Sequence, residues 1–414
     1  AHPIYLDPRS SLAGGYMVNF MSYREPHWHP DYDFSHLAPY HERSGLVSGI
    51  GGTQHFCQDL SIGLALGWGG MLGKIAYYRL ENGAEARDFY DGLSAIVTGL
   101  QNWIDRHVRA ARELAAAESD PVLRANLEEM AAINERMITD PPKTFREACQ
   151  WILWYQLIAR MYDGSGSLGR LDELLLPYYE RDVAAGILDD EEAIFHIACL
   201  LLRDTAYLQL GGPDADGNDV TSATSFLVLE AAHRLKIPAN IGVSVGENVD
   251  PNLLRRSVEV MLEDKTGVPK FLGVHQTAEG YAKNGYPLAL GYQRAYSGCH
   301  WSAIPGREYT MNDMVKVNFA KVFEHAFQEM MADTENEPSV RRLWNSFIAH
   351  LNTAVEIIAE GLDFHMAHMP DVFPDLVLSM LCHGPVEKGR DATDGGVEFY
   401  NLCVDGSALA TVAD

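Results

Sequence analysis

The chain has 414 residues, of which 47% are hydrophobic and 21% charged, and its formal charge is −25. This is the composition of a folded globular protein, long enough for two average domains or one large α/β domain. The acid excess excludes a nucleic-acid backbone partner, which calls for a basic stripe, and no apolar run reaches the length of a membrane span.

The N-terminal Ala1-His2-Pro3-Ile4-Tyr5 has no basic segment followed by an apolar core, so no signal peptide is expected, and the missing initiator methionine points to a processed or partial chain. Residues 1–75 are rich in Gly, His and aromatics. The closely spaced Gly63, Gly67, Gly69, Gly70 and Gly73 suit close helix packing or tight turns more than a phosphate loop, because no strand, G-x-G-x-x-G and helix follow one another. A helical period sets in from about 83 to 162. The first helix covers roughly 84–117. A second, about 120–138, opens at Asp120-Pro121, an N-cap followed by proline in the first turn. A third opens at Asp140-Pro141-Pro142 and runs to about Met161, with Trp151 and Tyr155 on its core stripe.

Gly164-Ser165-Gly166 breaks that helix, and the next holds Leu174, Leu175 and Tyr178. Asp189-Asp190-Glu191-Glu192 supplies first-turn acids to another helix, where the macrodipole favours them. A polar turn from Gly211 to Asp219 leads to a helix over Ser225–Leu235. Short strands are predicted at Ile241–Val245 and at Pro269–Val274. The spacing then predicts helices over roughly 311–332, starting at Met311-Asn312-Asp313, and over about 337–363. A loop-rich tail follows from Pro374, with a turn at Gly395-Gly396. Long helices between a few short, mostly parallel-type strands define an α/β chain.

Between the second strand and the 311–332 helix lies Ser297-Gly298-Cys299-His300-Trp301-Ser302, a loop that presents a thiol. Such a cysteine is either a buried plug or a reactive group. The six cysteines form no CxxC pair, which in a chain this large reads as reduced thiols of a cytoplasmic protein. No metal is expected: His365 and His368 are three apart and lack the glutamate of H-E-x-x-H. A serine hydrolase is equally unsupported, since there is no G-x-S-x-G elbow.

Five segments, in order, resemble one family. Pro142-Lys143-Thr144-Phe145-Arg146-Glu147-Ala148-Cys149-Gln150 resembles a "P-x-T-F-x-E-A-x-Q" helix opening. Leu168-Gly169-Arg170-Leu171-Asp172 with Pro177-Tyr178-Tyr179 resembles "G-R-x-D-x-x-L-x-P-Y-Y". Gly211-Gly212 through Asp216-Gly217-Asn218-Asp219, then Ser225-Phe226-Leu227 and Leu229-Glu230-Ala231, resembles "G-G-x-D-x-x-G-x-D … S-x-L-x-L-E-A". Ser297-Gly298-Cys299 is similar to the active-site cysteine loop. Gly389-Arg390-Asp391-Ala392-Thr393-Asp394-Gly395-Gly396, Tyr400-Asn401 and Val412-Ala413-Asp414 resemble "G-x-D-x-T-x-G-G-x-x-Y-N … A-D-S". The family is that of the glycyl radical enzymes, the pyruvate formate-lyase-like group.

The resemblance implies a ten-stranded α/β barrel of two five-stranded halves, wrapped by many helices. This chain would be a single domain over 1–414 covering part of that barrel, with the helical wrap at about 83–210 and the barrel and cysteine loop at about 211–414. It implies a lyase in which the Cys299 thiyl abstracts hydrogen from a small organic substrate, leading to decarboxylation or elimination. The stored radical would sit on a backbone glycine, with no bound cofactor, and a radical-SAM activating enzyme would install it. His27, Ser225, His300, Trp301 and Asp313 are the implied substrate contacts. Asp313 lies fourteen positions after Cys299, and His27 opens a "G-H-x-x-P-D-Y"-like run.

Two departures qualify the resemblance. The eliminating branches carry Cys-x-Glu, whereas here Cys299 is followed by His300 and Trp301. The chain also stops at Asp414 without an "R-V-x-G-Y"-like motif, so the radical glycine is expected on a longer form of this polypeptide or on a second chain. A homodimer or larger assembly is expected, in a cytoplasmic, anaerobic setting. The alternative is a catalytically silent relative or subunit that binds a ligand or partner chain.

Overall fold

The computed structural model describes residues 3–15, Ser35, Ala38, Glu42, 47–48, 55–162, 166–298 and 301–413; residues 47–48, 311–315 and 372 are described by backbone alone. In chain order the elements are β1 (Val47–Ser48), α1 (Leu60–Glu81), α2 (Arg87–Ala117), α3 (Pro121–Met137), α4 (Phe145–Tyr162), α5 (Leu171–Ala184), α6 (Asp190–Leu201), β2 (Leu208–Leu210), α7 (Ala223–Leu235) and β3 (Ile241–Val245). They continue with α8 (Pro251–Asp264), β4 (Lys270–Gly273), α9 (Val274–Lys283), α10 (Leu288–Gln293), β5 (Ala295–Tyr296), β6 (Ser302–Ala303), β7 (Glu308–Asn318), α11 (Phe319–Ala332) and α12 (Val340–Val372). The last are α13 (Leu376–Met380), α14 (Pro385–Lys388), β8 (Phe399–Ser407) and α15 (Leu409–Ala413). None of the described helices is long and apolar enough to cross a membrane.

The chain forms two compact units. The larger holds the described parts of 3–15, 55–308 and 375–399; the smaller holds β1, 309–374 and 400–413. In the larger unit β2, β3 and β4 lie parallel in that order, joined by the crossover helices α7 and α8. Parallel bridges continue the order backwards, from Leu208 to Gly169 and from Gly166 to Phe56. Five chain segments thus run side by side in sequence order as an open arc, each followed by a helix, as parallel pairing requires.

The caps read from sequence form as expected. Asp120 accepts from the N–H groups of Val122 and Leu123 above Pro121, and Asp189 exchanges bonds with Glu192. α1 is a helix that the glycine-rich sequence did not reveal. Its glycines admit neighbours: a β-carbon on Gly63 would fall 1.8 Å from Trp151 Cη2, and Trp151 stacks on Trp68 at 4.6 Å between centroids. Gly67, at φ +60°, kinks the helix against Pro141, and the freed N–H of Gly69 donates to the Thr139 carbonyl.

The smaller unit holds the antiparallel pair β1 and β7, with β8 on the other side of β7. Here the expected helix over 311–332 is corrected. Strand continues to Asn318, and the helix starts at Phe319 with Asn318 as its cap, accepting from the Lys321 N–H at 3.1 Å. Asp313 therefore sits in a strand and not at a helix start. The tail is likewise more ordered than expected, because it supplies β8. α12 runs nine residues past the expected 363, to Val372.

Candidate functional site

β5 and β6 pair antiparallel, Ala295 with Ala303 and Tyr296 with Ser302, so residues 297–301 form the connection of a hairpin. The N–H groups of Ser297 and Gly298 both donate to the Trp301 carbonyl, at 3.0 and 3.4 Å. Cys299 and His300 lie between these and outside the described residues. What the structure gives is the frame on either side. Ala295, Tyr296, Ser297 and Ala303 are fully buried, and Cys57 packs with Ala295 and Ala303. Burial pushes the Cys57 thiol up to about 12, so it stays protonated and acts as filler.

The hairpin is tied from several directions. The Ser167 hydroxyl lies 2.8 Å from the carbonyls of Tyr207 and Tyr296, and the Tyr281 hydroxyl donates to the Ser302 carbonyl at 2.5 Å. Just beyond β6, Glu308 is buried, and one carboxylate oxygen accepts from the Ile304 N–H at 2.7 Å. Burial pushes its carboxyl up to about 7, and the same burial raises the Tyr281 phenol. Trp301 is half-buried and lies against Gly298.

Ser225 is buried in the first turn of α7, with its hydroxyl committed. It donates to Asp172 at 2.5 Å and accepts from the Ser222 N–H at 3.1 Å. Asp172 also accepts from the Gly211 N–H at 2.7 Å, and its carbonyl accepts from the Thr224 hydroxyl. The two motifs that contain Arg170-Leu171-Asp172 and Gly211-Gly212 thus meet in one knot that fastens α5, β2 and α7 together. His27 lies outside the described residues, and Asp313 is placed by backbone alone, within β7.

In the sequence His55 counts only as one of several scattered histidine donors without metal-site spacing. His55 is buried at the start of the arc, edge-on to Tyr207 at 5.2 Å, next to Phe56, which bridges Gly166. Among the described residues no group of three His, Cys, Asp or Glu side chains is placed to hold a metal.

Comparison with known proteins places these features in a family. The isethionate sulfite-lyase of Nitratidesulfovibrio vulgaris is 25% identical over 264 residues, covering 58% of this chain and 32% of that protein. The (2S)-3-sulfopropanediol dehydratase of Klebsiella oxytoca is 23% identical, covering 88% and 49%. The chain thus spans about a third to a half of the length of these curated relatives. A glycyl radical enzyme structure from Archaeoglobus fulgidus superposes with a TM-score of 0.81 at 22% identity, over 92% of this chain and 54% of that one, so the fold is that α/β barrel, seen here as an open arc. The pyruvate formate lyase-like family model matches residues 45–414, and the chain belongs to that family.

Proposed function

We propose that this chain carries the cysteine loop of a glycyl radical lyase. In this reading the Cys299 sulfur takes a hydrogen atom from a carbon of a small organic substrate, and the substrate radical then loses a neighbouring group by C–C or C–X cleavage. The observation that carries the reading is the hairpin frame, in which a cysteine loop of the right family rises from a fully buried stem of Ala295, Tyr296, Ser297 and Ala303. A sulfur radical needs such a water-excluded setting. Cysteine suits the task because its S–H bond is close in strength to the C–H bonds it must break and re-form.

A glycyl radical, when present, supplies the acceptor for the Cys299 hydrogen atom. The frame fits that exchange because its stem, Ala295, Tyr296, Ser297 and Ala303, is buried from solvent. We assign Trp301 and His300 to the substrate side of the loop, His27 and Asp313 to substrate contacts, and Ser225 to holding the wall through Asp172. A radical-SAM activating enzyme, and assembly as a cytoplasmic homodimer or with a second chain bearing the glycine loop, complete the proposal.

The test is anaerobic activation of the full-length protein with its activating enzyme. A doublet in the electron paramagnetic resonance spectrum and turnover of a small hydroxylated substrate are expected. Cys299→Ser should keep the doublet and lose turnover, and a Cys299→Ser protein that still turns over removes the sulfur from the mechanism. A second reading rests on Trp301 standing two residues after the cysteine, where eliminating relatives are expected to carry glutamate. A silent, ligand-binding relative would give no doublet under any activation.

A further inference from the structure

Glu308 folds back onto the foot of the cysteine hairpin. Its side chain is fully buried, and one carboxylate oxygen accepts from the Ile304 N–H at 2.7 Å, so it spans the turn that leaves β6. Within that turn the Arg307 N–H donates to the Ile304 carbonyl at 3.1 Å, and the Gly306 N–H donates to the Cys57 carbonyl at 2.8 Å. The Tyr286 hydroxyl also reaches the carboxyl, and Tyr286 meets Tyr281 edge-on at 5.0 Å between ring centroids. Tyr281 in turn holds the Ser302 carbonyl from α9.

These side chains set the foot of the hairpin because β5 and β6 have two residues each, too few to fix a register alone. A shift at Ile304 passes through Ala303 and Ser302 to the Trp301 carbonyl, on which the Ser297 and Gly298 N–H groups depend. The groups acting on Glu308 are the Tyr281 and Tyr286 phenols and the Cys57 thiol, none of them a cation. The charged and titratable groups around the foot are committed elsewhere. Arg294 donates to Gln209 Oε1 at 3.0 Å and to the Gly273 carbonyl at 2.8 Å, Arg307 pairs with Glu398 at 2.8 Å, and His383 pairs with Asp59 at 2.9 Å. A carboxylate buried without a cation is costly, so this foot suits the uncharged form.

We propose that Glu308 is a positioning residue for the cysteine loop: its uncharged carboxyl locks the foot of the hairpin, and its ionisation frees residues 297–301 from their register. With a carboxyl value of about 7, the lock is closed in mild acid and opens as pH rises through neutrality. Its use in catalysis rests on the radical reading above, but the lock itself is tested without radical chemistry.

The test uses the full-length, unactivated protein labelled with fluorotryptophan, with the Trp301 resonance assigned by Trp301→Phe. Between about pH 5.5 and 8.5 that resonance should move with a midpoint of about 7. Hydrogen exchange of peptides spanning 295–308, corrected for its intrinsic pH dependence, should quicken at least about tenfold over the same range. Glu308→Gln, which cannot ionise, should keep the acid-side resonance and protection throughout. Any transition owed to His300 or His383 would persist in that variant. Should Glu308→Gln fail to fold, Glu308→Met is read for the same loss of pH dependence. The proposal falls if either the resonance or the exchange of the parent is unchanged over this range, or if the change persists in a folded variant that cannot ionise at position 308.

Discussion

Trp301 lies so close to Gly298 that a β-carbon at position 298 would come within 2.4 Å of the indole Cδ1. Both N–H groups before Cys299 are directed at the Trp301 carbonyl, so Trp301 and residues 297–298 are held together. Gly298→Ala must push the ring away, at a cost of about 1–3 kcal/mol. In protein labelled with fluorotryptophan, the resonance that Trp301→Phe removes should shift in Gly298→Ala, and turnover should fall at least about tenfold. An unmoved resonance would show that the ring does not hold the turn.

Glu308 gives the hairpin stem a pH dependence of defined sign. Its folded value of about 7 lies above the ordinary 4.5, so the folded state holds the extra proton. The stabilisation from this group is complete below pH 4.5 and is lost as pH rises through 7. Glu308→Gln stays neutral throughout. Relative to the parent it should gain stability between pH 5 and 8, up to about 3 kcal/mol. Urea unfolding at both pH values reads the difference, and parallel curves for the two proteins would refute it.

His107 acts in the opposite sense. It is fully buried, accepting from the Tyr5 N–H on Nε2 at 3.2 Å and donating from Nδ1 to the Trp103 carbonyl at 2.9 Å. Burial lowers its value from 6.5 to about 4, so its stabilising contribution is present above 6.5 and fades as pH falls through 4. His107→Asn should be less stable at neutral pH and should lose part of the acid slope, up to about 3 kcal/mol of it, in urea midpoints measured from pH 7 to 4.

The Asp172 knot predicts coupling. Asp172→Ala strands the Ser225 hydroxyl and the Gly211 N–H in the interior and should cost about 2–4 kcal/mol; Ser225→Ala should cost about 1–2. The double variant should cost clearly less than the sum, because each change removes the same bond. Additive losses would mean that the two side chains act separately.

The family motifs were legible because they are structural fasteners. Asp172 and Gly211 join two of them, and Asp391 accepts from the Asp375 N–H, the Thr393 N–H and the Ser379 hydroxyl in a third. Helices with local caps, such as those opened by Asp120 and Asp189, were equally readable, since their signals lie within a few residues. β7 was not. Asn312-Asp313 imitates a helix cap, whereas the strands that pair with the segment are Val47–Ser48, more than 260 residues earlier, and β8, which follows only after two long helices. α1 was hidden for a related reason, because five glycines lower its intrinsic propensity and the Trp151 indole that explains Gly63 lies far along the chain.

The pairing of Asp59 with His383, and of the Asp59 N–H with the Leu381 carbonyl, spans more than 320 positions within one unit. As the polypeptide emerges from the ribosome, the start of α1 waits for these partners through the synthesis of residues 309–374 of the smaller unit. The larger unit is therefore finished only after residue 383 has been made. Nascent chains released before that point should expose the entrance of α1 to proteases and chaperones, while chains a few dozen residues longer should resist them.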